Sequence, residues 1–229
     1  MKKILNNFTK TDIIIYSASI FLIITTFLVF DRINYVNLIT SLIGATSLIF
    51  IAKGNAIGQI LSIVFSVFYL VISYKTAYFG ETITYLFMNI PLAIISLVSW
   101  LKNPYEKNVL EVKVNKIKKR EFVFAFTLTF IITFIFYFIL KYFNTANLVF
   151  STISIATSFI AVYLTFRRSE YFAIGYACND IVLIVLWTLK TIENISYLSI
   201  VTCFIVFLAN DIYGFISWTK MKKRQSNKN

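Results

Sequence analysis

The sequence predicts an all-α polytopic membrane protein with eight transmembrane helices. Of its 229 residues, 59% are hydrophobic and only 14% are charged, and a soluble domain of this length could not bury so much apolar surface. With two prolines and six glycines in the chain, the apolar runs are much longer than the alternating strands of about ten residues in membrane barrels. Helices are therefore the spanning elements that the sequence supports.

A helix needs about 20 mainly apolar residues to cross a hydrocarbon core about 30 Å thick. The first run follows Lys2 and Lys3, as in a secretory signal, but no small-residue cleavage site follows it near Asp31, so we expect a retained helix. The second run is the shortest. The eight predicted helices fall at 12–30, 37–52, 56–74, 82–101, 122–141, 147–165, 170–189 and 196–218.

Basic residues are unevenly distributed between the loops on the two sides of such a bundle. If the N-terminus lies in the cytoplasm, the cytoplasmic segments hold 18 of the 22 Lys and Arg, seven of them at 102–121, and the outer loops hold four. Cytoplasmic loops carry such an excess, so we predict that both termini lie inside. The net charge of +12 then reflects topology and contact with anionic lipids, and we expect no nucleic-acid binding.

The histidine and cysteine content limits the catalytic, metal-binding and disulfide chemistry that the protein can have. Histidine is absent, which removes His-based acid–base catalysis and His metal ligands, and we expect neither a cofactor nor a metal. Cys178 and Cys203 both fall inside apolar runs, where we expect small packing residues rather than a disulfide.

Three short motifs recur in the same order in the two halves of the chain, at offsets of 111, 117 and 118 residues. They occupy equivalent positions in the predicted helices, which indicates an internal repeat. The motifs are Ala-Thr-Ser at 45–47 and 156–158, Ala-Ile-Gly at 56–58 and 173–175, and Ser-Trp-x-Lys at 99–102 and 217–220.

The repeat predicts two parallel units of three helices, joined by the helix at 122–141. This three-plus-one-plus-three geometry is that of SWEET-type transporters, which bind substrate between the units. We divide the chain into an extra N-terminal helix, the first unit, the basic loop with the linker helix, the second unit and a basic tail. Their bounds are 1–36, 37–102, 103–146, 147–220 and 221–229.

Polar residues at bilayer depth mark a candidate site. Asn179 and Asp180 lie in the seventh run, and Asn210 and Asp211 in the eighth. A carboxylate at the bilayer centre costs roughly 2.5–3.5 kcal/mol on insertion scales, so a retained one indicates function. Neighbouring residues of a helix point about 100° apart, so we do not expect both members of a pair to face one narrow site equally. The other candidates are Gln59, Tyr85, Asn89, Tyr176 and Tyr213.

These side chains predict a pocket of amide and carboxylate groups and aromatic faces, with up to two negative charges and no buried Lys or Arg. Such a pocket suits a flat, polar and cationic small molecule and does not suit an anion. The alternative is that the asparagines only join helices through hydrogen bonds.

Several other residues are expected at the membrane interfaces instead. Trp100 and Trp218 precede lysines at predicted cytoplasmic helix ends, the usual place of aromatic anchors. Glu81 begins the fourth helix at the outer surface, where its carboxylate would complement the helix N-terminus. The outer aromatic belt is predicted to contain Tyr74, Tyr78, Tyr142 and Tyr197.

Both units resemble a known family. The first looks like the first half of the PnuC family in its Gly58-Gln59, Tyr78-Phe79-Gly80-Glu81 and Ser99-Trp100-Leu101-Lys102-Asn103-Pro104 segments. The second is similar in Asn-Asp at 179–180 and in Asn-Asp-Ile-Tyr-Gly-Phe at 210–215, the most specific match. The similarity covers about 37–220 and implies a core of seven helices, to which this chain adds the helix at 12–30.

The resemblance implies substrate contacts from Asn89, Asn179 and Tyr213, with Trp187 and Asn210 as further candidates. Members of the family are bacterial inner-membrane transporters, chiefly of nicotinamide riboside, with branches that take thiamine or riboflavin. The implied mechanism is facilitated diffusion by alternating access, trapped by cytoplasmic phosphorylation, and no phosphate-binding glycine motif occurs here. Nicotinamide riboside and thiamine both carry a cationic ring, so the charge of the pocket leaves both open.

Other function classes fit less well. A lipid-modifying membrane enzyme would need polar catalytic residues near a cytoplasmic mouth, whereas Asp180 and Asp211 are the acids expected at depth. A structural subunit would transport nothing alone. We therefore expect a transporter rather than an enzyme, in contact with a small-molecule substrate and membrane lipids. A monomer would suffice for two fused units, whereas the resemblance favours a homotrimer.

Overall fold

The computed structural model describes residues 8–106 and 111–227. These residues contain eight helices long and apolar enough to cross a membrane, which confirms the predicted number. Lys2, Lys3, Lys107 and Lys228, all counted in the charge argument, lie outside the described residues. In chain order the helices are α1 (Lys10–Asp31), α2 (Tyr35–Ala52), α3 (Ala56–Lys75), α4 (Phe79–Lys102), α5 (Lys119–Tyr142), α6 (Leu148–Phe166), α7 (Phe172–Glu193) and α8 (Leu198–Asn227).

The last helix is longer than predicted, because its polar C-terminal part packs on a loop. It continues from the predicted end at 218 to Asn227. The side chain of Gln225 accepts a hydrogen bond from the backbone N–H of Val114 at 2.8 Å and donates to the carbonyl of Val112 at 3.0 Å. The described part of the segment predicted as a basic tail, 221–227, is therefore a helical extension of α8.

We group six of the helices into two triplets for description, α2–α3–α4 and α6–α7–α8, whose consecutive members contact each other. The triplets meet along α2 with α8 and along α4 with α6, while α1 packs on α2 and α8, and α5 packs mainly on α6. We call the end with the loops at 53–55, 103–118 and 167–171 the basic end. The opposite end, with the loops at 76–78 and 143–147, is the far end.

The Ala-Ile-Gly motifs lie where helices approach most closely inside each triplet. A Cβ on Gly175 of α7 would lie 2.8 Å from the Cα of Ala161 on α6, and a Cβ on Gly58 of α3 would lie 2.6 Å from the backbone N of Ile51 on α2. Small residues of this kind let membrane helices pack backbone to backbone. The motif therefore fixes α3 on α2 and α7 on α6.

Helix α4 is irregular in its middle. Tyr85–Asn89 forms a π-helical turn, and Pro91 follows in the regular segment Ile90–Lys102. Proline has no backbone N–H, so the preceding turn loses a helical hydrogen bond, and π turns of this kind are frequent at functional sites. The turn separates the short first segment, Phe79–Thr84, from the rest of α4.

The two tryptophans of the Ser-Trp motifs make matching contacts at the basic end. Trp100 donates from Nε1 to the carbonyl of Thr165 near the end of α6 at 2.9 Å. Trp218 donates to the carbonyl of Ile51 near the end of α2 at 2.8 Å. The two rings lie 5.3 Å apart, and both side chains are buried. The expectation that they are interface anchors is therefore wrong.

The preceding serines repeat this arrangement. Ser99 donates to the carbonyl of Phe166 at 2.9 Å, and Ser217 donates to the carbonyl of Ala52 at 2.7 Å. The last helix of each triplet thus bonds the final carbonyls of the first helix of the other triplet, groups that a helix end leaves unpaired. We call these four residues the Ser-Trp clasp.

Three other surface or packing assignments also change. Glu81 is 1% exposed and Tyr78 is 2% exposed, so neither lies at the outer surface. Cys178 is exposed, although it was expected to pack, whereas Cys203 is buried and both are free thiols. Tyr74 and Tyr142 are exposed, at 63% and 81%.

We expect Gly175→Ala to destabilise the protein by about 1–3 kcal/mol, because the added methyl group overpacks the backbone of α6. Thermal unfolding in detergent would show this as a lower Tm. Gly214→Ala is the matched control: its Cβ would meet Ala173 at an ordinary 3.9 Å. Equal losses in the two variants would contradict this account of the motif.

Candidate functional site

A cavity lies in the middle of the bundle between the two triplets. It encloses about 60 Å³, room for roughly four water molecules. All six triplet helices line it, and within the described residues α1 and α5 contribute nothing to it. Its principal polar and aromatic groups are Tyr85 and Asn89 of α4, Tyr176, Asn179 and Asp180 of α7, and Asp211 of α8.

Asn179 is held in one orientation by hydroxyl groups of α6. Its Oδ1 accepts hydrogen bonds from Thr157 at 2.9 Å, Ser158 at 3.0 Å and Ser154 at 3.4 Å. With the amide oxygen on these hydroxyls, the NH₂ group is left as a donor at the cavity wall. Both Asn179 and Asp180 line the cavity, although a pair of neighbouring residues was not expected to share it.

Asp180 and Asp211 both line the cavity, and their carboxyl groups are close enough to interact. Each is 4% exposed, and Oδ2 of Asp180 has no hydrogen-bond partner within the described part of the chain. No described Lys or Arg lines the cavity. Two buried carboxylates without a cation repel each other, so the cavity favours a ligand that brings positive charge.

Asn89 supplies an acceptor on the opposite triplet. It lies in the π-helical turn of α4, is 7% exposed, and its Oδ1 has no partner among the residues that the structure describes. The cavity thus presents an amide donor on α7 and an amide acceptor on α4, together with the aromatic rings of Tyr85 and Tyr176.

Asn210 and Tyr213 share one helix face, as their spacing predicts, but this face points to α1. Nδ2 of Asn210 donates to Ser19 at 2.9 Å. The Tyr213 hydroxyl donates to Asp12, which also pairs with Lys53 at 2.6 Å. Asp211 lies about 100° further round α8 and is the member of the motif that lines the cavity.

Gln59 and Trp187 also lie away from the cavity lining. Gln59 is buried, and its Nε2 has no partner among the described residues. Trp187 is fully buried and donates from Nε1 to the hydroxyl of Tyr69 at 2.8 Å.

Aromatic groups close the cavity towards both ends of the bundle. Towards the basic end, Phe172 lines the cavity and its ring lies 4.9 Å from that of Trp218 in the clasp. Towards the far end, Tyr85 lines the cavity and its ring lies 4.5 Å from that of Tyr69. The bond between Tyr69 and Trp187 joins α3 to α7 behind it.

A second bond across the far end involves Tyr78. Its hydroxyl donates to the carbonyl of Leu186 on α7 at 2.7 Å. Burial raises the pKa of Tyr78 to about 12, so the hydroxyl stays protonated and remains a donor at neutral pH. We call Tyr69, Tyr78 and Trp187 the far-end seal.

Sequence reasoning missed several lining residues. The cavity wall includes Phe65, Phe172, Phe204 and Phe207, which a chain with 24 Phe does not single out. Ser47 and Ser158 also line it. Both belong to the repeated Ala-Thr-Ser motif, so the repeat was a signal for the site as well as for the fold.

The chain is similar to known proteins in sequence and in fold. The family described as nicotinamide mononucleotide transporter matches residues 34–220. The nicotinamide riboside transporter PnuC of Neisseria mucosa is 22% identical over 203 residues, which cover 86% of this chain and 77% of that protein. A crystal structure of the vitamin B3 transporter PnuC has the same fold, with a TM-score of 0.84 and 19% identity over 96% of this chain and 94% of the other.

The extent of these matches bears on α1. The family match begins after α1, whereas the structural match leaves only about nine residues of this chain uncovered. That is fewer than the 22 residues of α1, so most of α1 has a counterpart in the solved PnuC structure. The match to 34–220 establishes that this multi-pass membrane protein belongs to the nicotinamide mononucleotide transporter family, a family of transporters and not of enzymes.

Proposed function

We propose that the protein takes up nicotinamide riboside through the cavity between its two triplets. The observation that carries this proposal is the pairing of Asp180 with Asp211 in a cavity lined by no described cation. A pyridinium ring supplies the missing positive charge, and the rings of Tyr85 and Tyr176 offer it cation–π contact.

The two cavity asparagines favour the carboxamide of this substrate. A carboxamide has one acceptor oxygen and one donor NH₂ group. The NH₂ group of Asn179 and the Oδ1 of Asn89 present the complementary donor and acceptor. Thiamine, the alternative substrate, shares the cationic ring but has no carboxamide, so these asparagines favour the riboside.

The same cavity disfavours the mononucleotide that the family description names. A phosphate group adds nearly two negative charges at neutral pH, and a buried charge needs a partner. Asp180 and Asp211 would repel it, and no Lys or Arg in the described part of the chain lines the cavity.

The basic end is proposed to be cytoplasmic, in a bacterial inner membrane with both termini inside. Lys53, Arg167 and Arg168 lie at that end, which agrees with the excess of Lys and Arg in cytoplasmic loops. The matching contacts of the Ser-Trp clasp support two repeated three-helix units, at 37–102 and 147–220. Helix α5 then acts as the linker, α1 as a helix that precedes the two units, and the end of α8 as the basic tail.

Transport is proposed to be facilitated diffusion by alternating access, followed by phosphorylation of the substrate in the cytoplasm. The Ser-Trp clasp closes the cytoplasmic side and the far-end seal closes the outer side, and opening either one gives access to the cavity. The exposed Phe side chains of α5, at 126, 130, 134 and 138, suit contact with lipid. We propose a homotrimer on the family resemblance.

Binding calorimetry on the detergent-purified protein tests the substrate. We expect micromolar binding of nicotinamide riboside and binding at least about tenfold weaker, or about 1.4 kcal/mol, for its mononucleotide and for thiamine. Binding of thiamine alone would overturn the substrate but leave the cavity argument. If none of the three binds, the proposed function is wrong.

Asn179→Ala and Asp211→Asn are expected to weaken binding of the riboside at least about tenfold, or about 1.4 kcal/mol, because each removes a group at the cavity wall. Asn210→Ala is the matched control, since Asn210 bonds α1. It should lower the Tm and leave the Kd unchanged. An equal loss of affinity in Asn210→Ala would show that Asn210 belongs to the binding site.

Trp218→Phe should loosen the clasp by removing one buried hydrogen bond, about 1 kcal/mol or a roughly fivefold shift in population. The measurement is labelling of Ser47→Cys, a cavity position, by an impermeant maleimide in a background without Cys178 and Cys203. We expect faster labelling from the cytoplasmic side only. In Trp187→Phe we expect faster labelling from the outer side only. If either variant is labelled faster from both sides, the clasp and the far-end seal do not close the cavity separately.

A further inference from the structure

Glu81 is a buried acid that the proposed binding mode does not use. It lies in the first turn of α4, is 1% exposed, and its Oε2 has no hydrogen-bond partner among the described residues. The hydroxyl of Ser154 is a polar neighbour of this carboxylate, and no described Lys or Arg acts on it. Lys190, at the same end, already pairs with Glu193 at 2.5 Å.

Other polar groups near the start of α4 are also buried without a partner in the described parts of the chain. They include the hydroxyls of Thr84 and Thr145. Thr145 lies against Gly80, because a Cβ on that glycine would be 2.8 Å from the Thr145 methyl carbon. Native structures leave few buried polar groups unpaired, so a cluster of them indicates water or a ligand.

Glu81 is connected to the cavity along two routes. Ser154 lies between Glu81 and Asn179 and donates to the Asn179 oxygen at 3.4 Å. Tyr85 follows Glu81 by four residues, on the same side of α4, and lines the cavity. Glu81 also acts electrostatically on the hydroxyls of Tyr69 and Tyr85, whose rings lie 4.5 Å apart.

We propose that Glu81, with the rings of Tyr69 and Tyr85, forms a second site for the cationic ring of the substrate, on the far-end side of the cavity. An organic cation moving between the far end and the cavity would meet this carboxylate about one helical turn before Tyr85. The site holds the positive charge while the far-end seal opens, before Asp180 and Asp211 receive it. The inference rests on the proposed function, because it requires a cationic substrate.

The test is uptake into proteoliposomes that contain the full chain, using two substrates of nearly the same shape. Nicotinamide riboside carries the positive charge, and its 1,4-dihydro form is neutral. We expect Glu81→Gln to raise the KM for the cation about tenfold, since a nearby charge attracts an oppositely charged substrate, and to leave the KM for the neutral form unchanged. Glu193→Gln, which removes a carboxylate at the same end, is the control and should alter neither.

A second, conservative variant distinguishes loss of the charge from misfolding of Glu81→Gln. Glu81→Asp keeps the charge, so it should preserve the ratio of the two KM values even if overall uptake falls. The proposal is overturned if Glu81→Gln raises both KM values equally, if it changes neither, or if Glu81→Asp loses the preference for the cation. Failure of the wild-type protein to transport the riboside would instead refute the proposed function.

Discussion

The hydroxyls of Ser99 and Ser217 bond the last carbonyls of α6 and α2, and the indole N–H groups of Trp100 and Trp218 each add a bond to the carbonyl just before. In a bilayer such groups find no water and must be satisfied within the protein. Each bond runs from one triplet to the other. The same bonds therefore satisfy the carbonyls at the helix ends and hold the two triplets together. The cavity lies directly behind this junction, with Phe172 packed between them.

The fold could be predicted because hydropathy reports which segments cross a membrane, and the eight runs became eight helices. Hydropathy does not report which side of a helix faces the protein. Trp100, Trp218 and Glu81 were placed at interfaces from their positions along the chain, yet all three are buried. In each case the structure supplies an inward contact, to a helix end or to Ser154, that only the packed bundle reveals.

The candidate site was predicted in part. Asn89, Tyr176, Asn179, Asp180 and Asp211 line the cavity, and intramembrane polarity was a sufficient signal for them. The same signal also selected residues that join helices. Asn210 and Tyr213 are also polar residues of α8, but they contact Ser19 and Asp12 of α1, and no local pattern in α8 indicates that α1 is the neighbour.

The contacts between α1 and α8 have a consequence for biosynthesis. Ser19 and Asp12 are made before their partners Asn210 and Tyr213, which lie 191 and 201 positions later in the chain. A carboxylate costs free energy to insert, and such distant contacts form slowly. Helix α1 is thus made before α8 but completes its packing only after α8 has entered the membrane.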